Sequence, residues 1–217
     1  NLGKVYWLKV YQIPVASRVA KGRPLINLIN LDEGERITSL LNVESFEEPG
    51  FVFMATKKGV VKKTSLDEFK RQWKVGKRAI KLDPDDELVG STLTDGEKFI
   101  MLVSQSGKAV FFDEKEARSM GRAARGVKGI NLGKDDKVIS LLVPEKENTI
   151  FTVSENGYGK RTNVDDFRKT RGTPSTDSDG VSLTTLGSSD VFPVNDDEAL
   201  RGALQDAIAM YGYPDIG

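Results

Sequence analysis

The sequence predicts an all-β protein, a β-propeller of about four blades, each built as a four-stranded antiparallel sheet. Two observations predict this fold. A pattern recurs about every fifty residues, and short runs rich in Val, Ile, Phe and Thr alternate with glycine-bearing turns. Internal repetition of this kind indicates an array or a propeller. We favour the propeller because it leaves only short sheet edges exposed, whereas a solenoid is usually built from smaller or helical units.

The repeat is clearest in two segments that match in register, GVVKKTSLDEF (59–69) and GYGKRTNVDDF (157–167). Two more units, around KVYWLKV (4–10) and KAVFF (108–112), match less closely. Because a tight hairpin turn needs residues with φ > 0, we expect one glycine in each unit to close a β-hairpin. These glycines are spaced by 56, 48 and 50 residues and are Gly3, Gly59, Gly107 and Gly157.

The second half of each unit predicts a short strand, an acidic turn and a further strand. Ile37, Leu88 and Val138 fall at matching places, 51 and 50 residues apart. The acidic pairs Asp85–Asp86 and Asp135–Asp136 resemble metal ligands only superficially, because Asp at such turns usually bonds the backbone. The repeat domain is therefore predicted to span residues 1–173, with units at about 3–45, 51–93, 99–143 and 149–173.

The pattern fades beyond residue 173. Residues 174–194 are rich in Ser, Thr, Asp and Gly, which predicts a linker, with one further strand within 181–187. Residues 195–217 form an acidic tail in which 195–212 predicts an amphipathic helix, with Asn195 as its N-cap and Gly212 as its stop. We expect this short C-terminal helix to cover the open edge of the last unit.

The composition excludes several kinds of site. The chain has no Cys and no His, which removes disulfides, thiolate nucleophiles, imidazole bases and nearly all zinc sites. No apolar run approaches the ~20 residues that a membrane-spanning helix needs. We therefore expect no catalytic residue, no metal and no cofactor in this chain. Because it lacks an initiating Met, we expect a domain of a longer protein, and a reducing cytoplasmic setting is compatible.

A net charge of zero hides a strong asymmetry along the chain. Residues 1–173 carry 31 Lys and Arg against 24 acids, whereas residues 174–217 carry one Arg against eight acids. A basic body joined to an acidic tail is compatible with nucleic-acid binding and equally with a solvated surface that has an acidic end, so the charge by itself favours neither.

The basic residues are concentrated in four windows at the same phase of the repeat, 18–23, 70–81, 118–128 and 168–171. These windows hold sixteen Lys and Arg and no acid in 33 residues. Evenly spaced positive loops suit a long polyanion such as duplex DNA, and the alternative is a set of ordinary solvated loops. The predicted DNA-binding residues of these windows are Arg18, Lys21, Arg23, Arg71, Lys74, Lys77, Arg78, Arg122, Arg125, Lys128, Arg168 and Arg171.

Two basic pairs, Lys62–Lys63 and Lys160–Arg161, add to this prediction. Neighbours on a strand point to opposite faces, so both members of a pair cannot easily reach one ligand. The other units carry Tyr6–Trp7 and Val110–Phe111 at the same place. This alternation predicts a position at the outer edge of a blade, where a DNA contact and a plain exposed edge are equally compatible with the sequence.

Five stretches resemble the C-terminal domain of the A chain of DNA gyrases. They are VYWLKVYQIP (5–14), AKGRPLINL (20–28), FMATKKGVVKKTSLDEF (53–69), AIKLDPDDELVG (79–90) and SENGYGKRT (154–162). The resemblance runs from residue 3 to about 173. It implies a β-pinwheel, a propeller variant whose neighbouring blades exchange strands, with a basic perimeter that wraps DNA.

The resemblance also implies partners and a setting. The chain would act with the rest of the gyrase A subunit, together with the gyrase B subunit. Those parts of the enzyme cleave DNA and hydrolyse ATP for negative supercoiling in the cytoplasm. Catalytic residues would then lie outside this chain. The Gln-Arg-Arg-Gly-Gly-Lys-Gly box of gyrase is absent here, and an intact box is also missing from the topoisomerase IV A subunit. The alternatives are that related subunit or a propeller used as a protein-interaction platform.

Overall fold

A computed structural model describes residues 1–71, 75–154 and 158–170, together with the strand segments 181–182 and 189–194. Its regular elements are β-strands and five short 3₁₀ helices, and within the described residues no helix could span a membrane. The predicted all-β class is confirmed. The 3₁₀ helices are Val10–Gln12, Leu25–Asn27, Leu66–Phe69, Glu114–Glu116 and Val164–Asp166. The strands are β1 (Lys4–Val5), β2 (Phe51–Thr56), β3 (Val60–Ser65), β4 (Lys77–Arg78), β5 (Leu88–Thr94), β6 (Phe99–Ser104), β7 (Lys108–Asp113), β8 (Val127–Lys128), β9 (Val138–Leu142), β10 (Thr149–Ser154), β11 (Gly159–Asn163), β12 (Val181–Ser182) and β13 (Ser189–Val194).

The strands form four antiparallel sheets, which we number in chain order. The first is β1-β4, the second β5-β2-β3-β8, the third β9-β6-β7-β12 and the fourth β13-β10-β11. Each of the last three is built on a hairpin, and the second and third have the predicted four strands. In the hairpin turns that the structure describes, Gly59 and Gly107 both have φ of +82°, so their predicted role is confirmed. Gly157 lies outside the described residues.

Neighbouring units exchange strands. The short strands β4, β8 and β12 each follow the hairpin of one unit but pair with the preceding unit, on β1, β3 and β7 respectively. At the opposite edge of the sheets, β9 contacts both β5 and β13. Each four-stranded sheet thus runs from an inner strand of its own unit to an outer strand supplied by the next. The exchange that the pinwheel resemblance implies is confirmed.

The core lies between successive sheets, because the central strands are buried on both faces. Along β2, Phe53 joins a cluster shared with the third sheet, whereas Met54 joins a cluster on the side of the first sheet. Along β6, Leu102 and Met101 divide in the same way between two clusters. Adjacent side chains on a strand point to opposite faces, which explains the continuous apolar runs FVFMAT and FIMLVS.

In the second half of the units, the repeat predicted strands at three equivalent residues, and the structure has strands at two of them. Leu88 and Val138 begin β5 and β9, whereas Ile37 begins no strand. Beyond residue 173, β12 pairs with β7 and β13 pairs along the whole of β10. β12 lies within 181–187, where one further strand was expected, whereas β13 lies in the part expected to be a linker. The expected helix at 195–212 lies outside the described residues.

Candidate nucleic-acid interface

Two basic windows lead directly into outer strands. Residues 70–76 precede β4, and residues 118–126 precede β8. Because β4 and β8 are the exchanged strands at the edges of the first and second sheets, these strands and the described residues beside them lie at the perimeter. Strand exchange therefore brings a basic loop of one unit to the outer edge of the sheet before it.

The loop before β8 is fixed to β3 at both ends. Near its start, the Met120 N–H donates to the Lys63 carbonyl at 2.8 Å. Near its end, Gly126 has φ of +112°, and a Cβ there would lie 2.5 Å from the Val61 carbonyl oxygen. Only glycine allows this backbone conformation and this close approach without strain. The loop is thus held against the neighbouring hairpin.

The same loop contacts the residues that follow β4. The Lys81 N–H donates to the Ala124 carbonyl at 3.0 Å, and Arg122 Nη1 donates to the Arg78 carbonyl at 3.1 Å. Arg125 also pairs with Asp83. Residues 77–81 and 118–128 therefore form one continuous surface, which we call the basic edge.

Most of the predicted DNA-binding residues within the described part of the chain are accessible. Lys77 and Arg122 are half-buried, and Lys74 and Arg171 lie outside the described residues. Arg118 is exposed next to the contact with β3 and belongs to the same basic window, although the site prediction omitted it. The exposed predicted residues are Arg18, Lys21, Arg23, Arg71, Arg78, Arg125, Lys128, Lys160, Arg161 and Arg168.

Lys62 and Lys63 differ from this set, because their exposed fractions are only 0% and 6%. The expectation that this pair lies at an exposed edge is wrong. The physical reason is strand exchange, since the segment 114–122 of the next unit covers this part of β3. The pair does point to opposite faces: Lys62 Nζ reaches the Ala79 carbonyl, whereas Lys63 Nζ reaches the Glu114 carbonyl.

The surroundings of Lys62 favour its neutral form more than water does. Burial, followed by the nearby charge of Arg122, lowers the pKa of Lys62 to about 8, against an opposing effect from Glu68. Desolvation penalises the charged form of an amine. The ammonium form donates hydrogen bonds of 2.6 Å to the Ala79 carbonyl and 2.5 Å to the Arg122 carbonyl.

Glu114 is the second unexpected buried charge, with an exposed fraction of 0%. Its carboxylate accepts hydrogen bonds from Thr94 Oγ1 at 2.7 Å, the Gly96 N–H at 3.0 Å and the Lys98 N–H at 2.7 Å. It thereby fixes the turn between β5 and β6. Lys63 Nζ donates to the Glu114 carbonyl at 2.9 Å and lies 5.1 Å from the ring centre of Phe51.

The acidic turns bond the backbone, as predicted. Asp86 accepts from the Lys58 N–H at 2.9 Å, and Asp136 accepts from the Ser106 N–H at 3.0 Å. Asp86 lies just before β5 and Asp136 just before β9. Each carboxylate thus bonds the hairpin turn of its unit to the start of that strand. Among the residues that the structure describes, no group of three or more acids is arranged to hold a metal ion.

The repeat that produces this surface also matches a known family. The family model described as the DNA gyrase C-terminal domain, a beta-propeller, matches residues 1–44, 50–95, 98–145 and 148–175. The chain belongs to the DNA gyrase C-terminal domain family. The four matched segments follow the four units of the repeat, so this gyrase-type domain was correctly identified from its residues.

Curated relatives support the assignment to gyrase-type domains. The chain is 49% identical over 197 residues to the DNA gyrase A subunit of Salmonella typhimurium, covering 90% of this chain and 22% of the relative. It is 53% identical over 165 residues to the DNA gyrase A subunit of Escherichia coli, covering 76% of this chain and 19% of that relative. The chain thus spans about a fifth of the length of these relatives.

Solved structures agree with the pinwheel fold. The C-terminal domain of DNA topoisomerase IV matches with a TM-score of 0.79 and 29% identity, over 90% of this chain and 62% of that one. The DNA gyrase A C-terminal domain matches with a TM-score of 0.72 and 24% identity, over 91% of this chain and 64% of that one. The second match concerns the fold alone, and the expected pinwheel is confirmed.

Proposed function

We propose that this gyrase-type domain binds duplex DNA along its basic edge and bends the duplex around the outer strands. One observation carries the proposal: strand exchange joins the basic loops of successive units at the perimeter. The contact between Arg122 and the Arg78 carbonyl makes two such loops neighbours. A duplex that follows the perimeter would meet one positive loop after another.

The chemistry of the edge favours binding without base specificity. Exposed Arg and Lys side chains contact phosphates, and such contacts position DNA without reading its sequence. Bending a duplex costs free energy, and successive phosphate contacts along a curved edge offset that cost. The exposed residues of the other windows, including Arg23 and Arg168, would extend the path beyond the basic edge.

The role of the whole protein follows from the relatives, which are gyrase A subunits. We infer that this chain is the DNA-wrapping part of a type II topoisomerase in the cytoplasm. The B subunit, with the remainder of the A subunit, would supply DNA cleavage and ATP hydrolysis for negative supercoiling. The likeness to the topoisomerase IV domain makes a related enzyme the second candidate, and only gyrase would introduce negative supercoils.

Salt-dependent binding tests the basic edge. Replacing Arg78, Arg125 and Lys128 of the basic edge, together with Arg71 of the basic window before β4, with Ala should weaken binding to every long duplex alike. The slope of log affinity against log salt should fall by about 0.9 for each phosphate that the variant no longer neutralises. The matched control replaces Lys134 and Lys146, exposed residues in the loops on either side of the inner strand β9, with Ala.

Two results separate the outcomes. The control variant should keep the parent slope, and ligation of nicked circles with the four-fold variant should change the linking number less than the parent does. If the four-fold variant binds long DNA with parental affinity and slope, DNA does not follow this edge. A partner protein would then be the better candidate for this surface.

A further inference from the structure

Lys62 lies beneath the basic edge and connects its two halves. Its side chain is fully buried, and its Nζ donates to the Ala79 carbonyl at 2.6 Å and the Arg122 carbonyl at 2.5 Å. Ala79 belongs to the segment that follows β4, whereas Arg122 belongs to the loop before β8. One ammonium group therefore bonds the main chain of both segments.

Arg122 makes part of the contact between those segments. The Arg122 backbone accepts from Lys62, and its side chain donates onward to the Arg78 carbonyl at 3.1 Å. Arg78 and Arg125 flank this chain of bonds on the surface. Loss of the Lys62 ammonium group would thus affect the positions of the exposed cations without changing any of their side chains.

The fold itself does not require an ammonium group at this position. In the third sheet the equivalent residue is Val110, which is buried with an exposed fraction of 3%. In the first unit it is Tyr6, whose hydroxyl donates to Glu35 at 2.6 Å. Because a buried charge costs free energy that an apolar residue avoids, the lysine of the second sheet calls for a reason beyond folding.

We propose that Lys62 is a positioning residue for DNA binding, whose ammonium group holds the two halves of the basic edge together. Loss of its proton would loosen the edge and weaken binding. This inference rests on the proposed function, since it concerns how the same surface is held in its binding geometry.

The physical basis is the difference between charged and neutral hydrogen bonds. An ammonium group makes bonds about twice as strong as those of a neutral amine. The pKa of Lys62, lowered to about 8 by burial and by Arg122, places the change in mildly alkaline solution. Raising the pH through that value removes the proton, so binding should become weaker. Phosphates brought close by DNA binding would raise the pKa, so binding near pH 8 should take up protons.

The composition makes this signal easy to isolate. The chain contains neither His nor Cys, the side chains that ordinarily titrate near pH 7 to 8.5. The amino group of Asn1 also titrates, with its pKa lowered from the ordinary value first by burial. It donates to the Arg36 carbonyl at 2.7 Å, and it is present in every variant.

The test measures duplex affinity from pH 7 to pH 9 at constant ionic strength. Parent affinity should fall about fivefold to tenfold over this range, as expected for weakened charged hydrogen bonds. In Lys62→Met the affinity should be low and almost independent of pH. In Lys63→Met, which removes the neighbouring buried ammonium group, the fall with pH should persist. Lys62→Arg, which cannot lose its charge, should bind well at both ends of the range.

Calorimetry in two buffers of different ionisation enthalpy provides a second measurement. At pH 8 the parent should take up a fraction of a proton on binding DNA, and Lys62→Met should take up less. If the substitutions at Lys62 prevent folding, the parent's pH profile and proton uptake still decide. A flat parent profile with no uptake would overturn this role for Lys62. The proposed function would stand if the four-fold edge variant still bound DNA more weakly than the parent.

Discussion

The outer edges of the second and third sheets share a backbone arrangement but differ in side chains. In the second, the Lys63 carbonyl accepts from the Met120 N–H at 2.8 Å, and in the third, the Phe111 carbonyl accepts from the Thr170 N–H at 2.8 Å. The side chains that meet the next unit are Lys62–Lys63 in one sheet and Val110–Phe111 in the other.

This comparison shows that the main-chain contacts between units are kept more strictly from one repeat to the next than the side chains are. A strand that is covered by the next unit can fill the contact with apolar groups or with ammonium groups bonded to carbonyls. The same holds elsewhere in the two units: Leu66 corresponds to the buried Glu114, and Lys58 corresponds to Ser106. Substitutions that place the residue of one unit at the equivalent position of the other show which contacts both units need.

The largest effect should come from a shared feature, the hairpin glycine. Gly59 has φ of +82°, and a Cβ would lie 2.7 Å from Ile130 Cγ2. Gly59→Val should therefore add backbone strain of about 1–3 kcal/mol and a packing penalty of about 1–3 kcal/mol. Denaturant unfolding measures the sum. Gly107→Val should show at least the backbone strain, because that glycine has the same φ.

Gly34→Val is the control for this prediction. Gly34 has φ of +74° but no atom within 4 Å of the position its Cβ would occupy. It should show the backbone strain alone. Equal losses at Gly34 and Gly59 would mean that the close approach to Ile130 contributes little.

A smaller loss should follow when the third unit receives the residue of the second at a buried site. Glu114→Leu removes the acceptor for Thr94 Oγ1 and for the Gly96 and Lys98 N–H groups. Unsatisfied buried donors are costly, so we expect a loss of about 2–4 kcal/mol in unfolding free energy. The exposed neighbour provides the control, since Glu116→Leu should change stability by less than about 0.5 kcal/mol. Similar values for both variants would contradict a specific role for the Glu114 carboxylate.

The smallest effect concerns the acidic turns. Asp136 Oδ2 accepts from Ser106 Oγ at 2.7 Å, whereas Asp86 Oδ2 has no hydrogen-bond partner. Ser106→Ala should cost about 1 kcal/mol at pH 7. Lys58→Ser, which introduces the same hydroxyl beside Asp86, should stabilise the second unit by a similar or smaller amount.

The pH dependence of Ser106→Ala has a defined direction. Burial raises the pKa of Asp136, but hydrogen bonds from Ser106, Ser104 and Lys137 outweigh it and hold the pKa below the usual 3.8. The folded state therefore binds this proton less readily than the unfolded state does. The stabilisation is complete above about pH 4 and is lost as the pH falls through the lowered value. Unfolding at pH 7 and below pH 3 should show the difference between parent and variant shrinking on acidification.

Local rules were sufficient for much of the fold. The hairpins at Gly59 and Gly107 could be predicted because a tight turn needs φ > 0, and β5 and β9 begin where the repeat of Leu88 and Val138 placed them. Asp86 and Asp136 do bond the backbone as predicted, although the N–H groups of Lys58 and Ser106 that they reach lie 28 and 30 residues away. The equivalent strand at Ile37 was not formed, because pairing in a sheet depends on neighbours that a local pattern does not specify.

The candidate site divides in the same way. Which loops are basic and at what interval they recur could be predicted from the residues, since charge and period are properties of the chain alone. It did not determine that Lys62 and Lys63 are buried, because charged residues are rarely buried without partners and the partners here are distant carbonyls. Ala79, Glu114 and Arg122 reach the pair only through the exchange of β4 and β8 between units. Those two-residue strands have little pattern of their own, so which loops meet and which cations face solvent depends on contacts that form only in the folded chain.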